Sequence, residues 1–443
     1  MILDRSHIPF NHSGIILNIP EIDISSLGNI KIYKYQDKSQ PLVNFKINFK
    51  KGASSDNIPG TANFTMAMLQ SGTSNKNASE ISNVFESVGA SYFFNAYWDE
   101  CAFGFSTLGH YFENCLEMTA ECIFDSVLDD SEFKRQKDKI SAEIMQSNAD
   151  PNYITQLAFN KEMYGNHPYS NARIGSLNEV AQINQSDIAN FYNELINESD
   201  VSIIVTGNFV HSEVDSKIKS LFTKLMTNKS KQGPSWFVPS AYTHVISPKD
   251  DALQTNLRIG RPSIDRQHAD YPAFQIINTV FGGYFLSRLN QVLREEKGLT
   301  YGIYSYLDMR KLSSVFTIAT GINKDKTFES IEDILNISLD ISRSKLSDTE
   351  IERSIEFMTG SFARSLETPK QITGLIQALD SFELDRNFLI EFYKKIRQLS
   401  ADEIFEVQKK YFSEPNYLIA ASGDSEYLSD IISKFGNFKI IEI

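Results

Sequence analysis

Two side chains in the second half of this 443-residue sequence have the types and spacing of a carbonyl-handling pair. In FLSRLNQVLREEKGLTYGIYSY (285–306), Arg294 comes shortly before Tyr301, and Gly298 lies between them. A glycine at that point stops a helix in the left-handed conformation, so Arg294 leaves the last helical turn and Tyr301 opens a strand. A guanidinium and a phenol at such a corner can hydrogen-bond a peptide carbonyl, or stabilise the oxyanion that develops in its transition state. A surface arginine beside a half-buried strand tyrosine is the plainer account of the same residues. Hydrolysis by metal-bound water asks for more. One arrangement that serves is two histidines four apart on one helix face, with a carboxylate between them to take the proton. The seven histidines, His7, His12, His110, His167, His211, His244 and His268, never form such a pair.

An internal repeat sets the elements that must position these groups. Ile183–Phe209 and Leu399–Ser425 each read as a polar cap, a helix, a short turn and a buried strand ending in glycine. Gly207 matches Gly423 and Ile188 matches Ile404, and further upstream Ile81, Val84, Gly89 and Tyr92 match Leu289, Val292, Gly298 and Tyr301. The spacing implies two copies of a unit of about 210 residues. Within the first copy, Pro41–Phe49 alternates as a half-buried strand, and Gly60–Gln70 and Ser79–Val88 read as helices. They are followed by a strand over Tyr92–Phe105, long helices over Leu108–Val127 and Glu132–Asn148, and a closing strand Val201–Gly207. Helices gathered in runs between strands predict an α+β fold: two homologous domains, each a mainly antiparallel sheet packed with helices. The domains fall at 1–228 and 243–443, with the Lys/Gly/Pro/Ser-rich stretch 229–242 as linker.

The segment GTANFTMAMLQSGT (60–73) resembles the zinc-binding helix of the pitrilysin family, which includes insulysin and the mitochondrial processing peptidase. That family reads His-x-x-Glu-His there, with a further glutamate downstream as third ligand. In this chain the two metal positions hold Asn63 and Ala67, the base position holds Met66, and the third position falls on Glu143. One carboxylate and an amide cannot hold zinc, so the resemblance makes Glu143 a relic of a degenerate metal site; read by itself it is a solvated helix carboxylate. FNAYWDECAFGF (94–105) is similar to the family's edge strand beside the metal, and NHPYSNARIGSLNEV (166–180) to its His-Pro…Gly segment. Arg294 and Tyr301 match, by type and spacing, a pair that faces the zinc site across the family's cavity. Gly282-Gly283 precedes them and reads as a helix-end or hairpin turn.

What the resemblance implies is a non-catalytic subunit of a heterodimeric zinc metallopeptidase, not catalytic alone. It would supply Arg294 and Tyr301 to a homologous partner that bears the intact motif and the zinc, and it would help hold an extended peptide by strand addition. The alternative is a structural or assembly subunit of the same fold with no proteolytic role; an independent enzyme with another metal set is a third.

Composition removes other classes. The net charge of −13 disfavours a phosphate backbone as partner. No apolar run approaches the ~18 residues of a membrane helix. Met1–Pro20 lacks the basic-then-apolar order of a signal peptide, and Cys101, Cys115 and Cys122 read as buried thiols. The expected address is the cytoplasm, or the periplasm if a leader has been removed. Glu113, Glu117, Glu121 and Asp125 recur every four residues as an acidic stripe, expected to be a solvated face.

Overall fold

The computed structural model describes residues 17–225, 243–250, 252–414 and 416–443, so the linker expected at 229–242 lies outside the described residues. The first half contributes β1 (Asp23–Leu27), β2 (Ile30–Gln36), β3 (Leu42–Phe49), β4 (Ser91–Ala96), β5 (Cys101–Leu108) and β6 (Val201–Gly207). The second contributes β7 (His244–Pro248), β8 (Gln254–Pro262), β9 (Thr300–Arg310), β10 (Ser313–Asn323), β11 (Leu418–Gly423) and β12 (Phe438–Ile440). The strand orders are β1-β2-β6-β3-β5-β4 and β12-β7-β11-β8-β10-β9. From the second strand inward the two orders correspond, as a repeat requires. Pairing is mainly antiparallel; β2–β6, β7–β11 and β7–β12 are parallel. This is the expected α+β architecture.

Helices of the first half are α1 (Thr61–Leu69), α2 (Ala78–Glu86), α3 (Phe112–Phe124), α4 (Asp130–Ser147) and α5 (Pro151–Tyr164), with two more before β6 and one, His211–Phe222, after it. Local chemistry accounts for their starts. Asn77 and Glu80 form a reciprocal capping box on α2, and Pro151 occupies the first turn of α5 behind the Asp150 cap. The Asp56 carboxylate accepts from Gly60 N at 3.0 Å and Ala62 N at 2.9 Å, closing the N-terminus of α1. Burial pushes that carboxyl up to about 7 against the pull of these N–H groups.

Two sequence expectations change. The single strand expected over Tyr92–Phe105 is a hairpin, because Tyr97 N bonds Glu100 O at 2.7 Å and reverses the chain at Trp98-Asp99. The strand expected to be half-buried is β3, and it is buried on both faces. Val43, Phe45, Ile47 and Phe49 enter the core, while Asn44, Lys46 and Asn48 lie under a helix from the far end of the chain.

That helix, Pro369–Ser381, exposes the main organising feature. It packs on β6, β3 and β2 of the first sheet, and α5 of the first half packs on β11, β7 and β8 of the second. Both helices start with proline in the first turn and hold equivalent places in the repeat, so each copy covers the other's sheet. Ala158, Phe159 and Tyr164 meet Val245, Val315 and Leu418 on one side; Ile372 and Ile376 meet Tyr33 and Ile204 on the other. The second contact also carries charge. Asp380 accepts from Tyr33 Oη, Ser202 Oγ and Lys50 Nζ. Lys46, drawn down to about 8 by burial, donates to Gln377.

The repeat also yields a contrast in glycines. Gly207 has φ of 112°, and a Cβ there would stand 2.1 Å from Leu42 O. Its counterpart Gly423 would meet nothing closer than 3.4 Å, at Leu428. Gly207→Ala is therefore expected to destabilise by ~3 kcal/mol or more, and Gly423→Ala by under ~1 kcal/mol. Urea unfolding of the two variants checks this; equal losses would contradict it.

The acidic stripe on α3 is an ion-paired outer face. Lys217 bridges Glu113 and Glu117, and Glu121 accepts from Lys76 at 2.8 Å and Thr73 at 2.6 Å. The three cysteines are free and buried. No described helix is long and apolar enough to cross a membrane.

Candidate functional site

The degenerate helix is α1. Its apolar residues are absorbed by two cores: Met66, 1% exposed, joins the first-sheet core, and Ala67 packs among Phe64, Met68, Ile140 and Ile144. Asn63 is half-buried. Glu143 sits on α4, which packs against α1, with its side chain exposed and no hydrogen bond or ion pair to any described residue. It opens onto a cavity of about 360 Å³ whose lining includes Tyr97, Tyr153, Asn160, Asn171 and Arg173, and includes neither Asn63 nor Ala67. Among the described residues no group of three His, Cys, Asp or Glu side chains is placed to hold a metal. A thioether sunk in the core, an amide and a methyl do not fit zinc, and no step through a metal in this chain follows.

Arg173 went unread in the sequence, although its segment did not. Gly175, at φ 77°, packs against Pro59 O where a Cβ would approach to 2.5 Å, and this turn sends the 171–174 stretch along the cavity wall. Arg173 Nη1 donates to Ala96 O at 2.6 Å, and the guanidinium lies 5.9 Å from the Tyr97 ring centre. Burial raises the Tyr153 phenol, with Arg173 and Glu143 acting on it in opposite senses. A lone arginine in a loop has no periodicity to mark it; only its place beside the required glycine could have.

Arg294 and Tyr301 lie on the other half, away from this cavity. Gly298 is left-handed at φ 63°, as the sequence implied, and Leu299 N closes the turn onto Leu293 O at 2.7 Å. The preceding helical segment, Asn290–Glu296, is π-helical. Arg294 stacks over the Phe285 ring at 4.3 Å and stands 3.6 Å from Glu295. Tyr301 stands on the edge strand β9, 90% exposed. Its repeat counterpart Tyr92 behaves differently: it stacks on Phe85 at 4.3 Å and shares a 2.8 Å hydrogen bond with Ser82. The two glycines behind them, Gly89 and Gly298, have nearly the same φ, 66° and 63°. The backbone corner is thus repeated while the phenol is packed in one copy and bare in the other.

Two interlocked sheets of one repeated unit, with a helix carrying non-ligating residues at the metal positions, define a peptidase-like scaffold. Residues 33–176 match the family model described as insulinase, peptidase family M16, and residues 182–358 match that described as the peptidase M16 inactive domain. The chain belongs to peptidase family M16. An uncharacterized zinc protease of Bacillus subtilis, YmxG, is 28% identical over 315 residues, covering 70% of this chain and 75% of the relative. A Rickettsia felis protein of the same description is 26% identical over 369 residues, or 80% and 85% of the two chains. The solved M16 inactive domain from Pseudomonas fluorescens superposes with a TM-score of 0.84 at 22% identity, over 92% of this chain and 98% of that one. A Helicobacter pylori protease gives 0.80 at 18% identity, over 91% and 99%.

Proposed function

We propose that this chain is the non-catalytic subunit of a heterodimeric M16 zinc peptidase, forming half of the peptide-binding cavity and presenting Arg294 and Tyr301 to the zinc site of a homologous partner. The observation that supports the reading is the bare Tyr301 on an unpaired strand edge, at the repeat position where Tyr92 is packed and hydrogen-bonded. The unpaired edge of β9 offers main-chain groups to an extended peptide, and the corner offers a cation and a phenol to a carbonyl oxygen. The zinc would be the partner's. The reading places the complex in the cytoplasm, where the three thiols stay reduced.

Mixing the chain with an M16 partner that keeps His-x-x-Glu-His tests it. Peptide cleavage by the mixture is expected to exceed that of the partner alone, and Arg294→Ala or Tyr301→Phe to reduce it by roughly 10²-fold, the loss typical of an oxyanion donor. The purified chain alone is expected to take up no stoichiometric zinc by elemental analysis. Cleavage indifferent to both substitutions would leave the assembly role instead, and one tight zinc per chain would overturn the assignment of the metal to the partner.

A further inference from the structure

The cavity between α4, α5 and the 171–174 loop is a built polar site that the shared-site reading does not use. It holds one cation and one anion that do not pair with each other. Glu143 has no ion-pair partner among the described residues, and Arg173 makes only the bond to Ala96 O and the contact with Tyr97. That bond anchors one Nη of the guanidinium, and its other N–H groups meet no described acceptor. A guanidinium fixed on one side presents a fork matched to a carboxylate, while a lone exposed carboxylate is matched to an ammonium.

An amide in the same lining narrows the ligand. Asn160 is 4% exposed and lines the cavity, and its side-chain amide makes no hydrogen bond to a described residue. An amide held in a cavity wall can both donate to and accept from a ligand's own peptide group. Asn171 and Tyr153 add a second amide and a phenol to the same wall. Charges of both signs, neither in an ion pair, with an amide in the same wall, complement a short peptide with both termini free. The volume of about 360 Å³ suits two or three residues.

We infer that this cavity binds a free dipeptide or tripeptide, its terminal carboxylate on Arg173, its terminal ammonium near Glu143, and its peptide amide on Asn160. The site is independent of the zinc partner, and the chain alone is enough to test it.

Calorimetric titration of the full chain with alanyl-alanine, N-acetyl-alanyl-alanine, alanyl-alanine amide and free alanine reads the proposal directly. The free dipeptide is expected to bind, and blocking either end to weaken it at least tenfold, with free alanine weaker still. Arg173→Leu is expected to abolish the discrimination against the amide, and Glu143→Gln the discrimination against the acetylated form. Both side chains are exposed, so the variants keep the fold, which their melting curves verify. Affinity unmoved by either block, alanine binding as well as the dipeptide, or no heat at millimolar dipeptide would each overturn the proposal. No partner takes part, so failure here leaves the shared-site reading standing, and failure of the cleavage experiment leaves this titration unaffected.

Discussion

Asp380→Ala is expected to destabilise the protein by about 3 kcal/mol, the low end of the range for breaking a buried ion pair. The carboxylate side chain is 4% exposed and is tied to Lys50, with Tyr33 Oη at 2.9 Å and Ser202 Oγ at 2.6 Å. Removing it leaves a cation and two hydroxyls facing a hole between the sheet and the helix Pro369–Ser381. Lys50 retains Glu100 at 4.0 Å, which is why the low end applies. Burial alone would raise the Asp380 carboxyl; Lys50 and the bonds from Ser202 and Tyr33 bring it below its ordinary value. The sign for pH follows. A depressed carboxyl contributes stability that is fully present above the unfolded value of about 3.9 and is lost as pH falls through the folded value. Asp380→Asn should therefore flatten the acid limb of the stability curve below about pH 4. Urea midpoints at pH 7 and pH 3 measure both effects, and unchanged midpoints at pH 7 would show that the two halves do not depend on this contact.

Arg310→Leu is expected to cost a similar ~3 kcal/mol, from lost cation–π contacts and charge-assisted bonds. The guanidinium lies 4.7, 4.7 and 4.9 Å from the ring centres of Trp98, Tyr164 and Tyr169. It donates to Tyr169 O at 3.2 Å and to Asp308 at 3.1 Å. The β9–β10 turn beyond it is held by Asp99, which accepts from Tyr169 Oη at 2.6 Å and from Lys311 N at 3.2 Å. Arg310→Lys is expected to fare no better, because an ammonium is compact, strongly hydrated and unable to lie flat among three rings. Chemical unfolding followed by tryptophan fluorescence reports the loss, Trp98 being in the contact. A lysine variant as stable as the parent would show that charge alone holds the turn.

The repeat was legible because the residues that define it do local work. Gly89 and Gly298 share a left-handed φ, and Ile188 and Ile404 are both fully buried. The loss of the zinc set was legible for a simpler reason: Ala67 and Met66 carry no ligand atom of the required kind. The burial of Asn44, Lys46 and Asn48 was not. Alternation reported one apolar face of β3 correctly, and nothing near it announces a helix that arrives more than three hundred residues later to cover the other. The hairpin at Trp98-Asp99 was hidden because both its strands are rich in aromatic residues and no glycine or proline marks the turn. Arg173 and Asn160 were invisible for a related reason. Their significance comes from sharing a cavity wall that exists only in the folded chain, and a sequence does not show which residues meet there.

The exchange of α5 for Pro369–Ser381 bears on how such a chain could arise and be divided. Each half lends the other a helix, so a single copy of the unit would leave one face of its sheet bare unless it met a second copy. The two copies already differ at the tyrosine corner, packed at Tyr92 and bare at Tyr301. Deleting one copy, however, strips the covering from the sheet of the other, including the buried Lys46 and the half-buried Lys50. Cutting the chain within 226–242 and expressing the pieces separately should therefore give insoluble fragments, while co-expressing them should restore the whole.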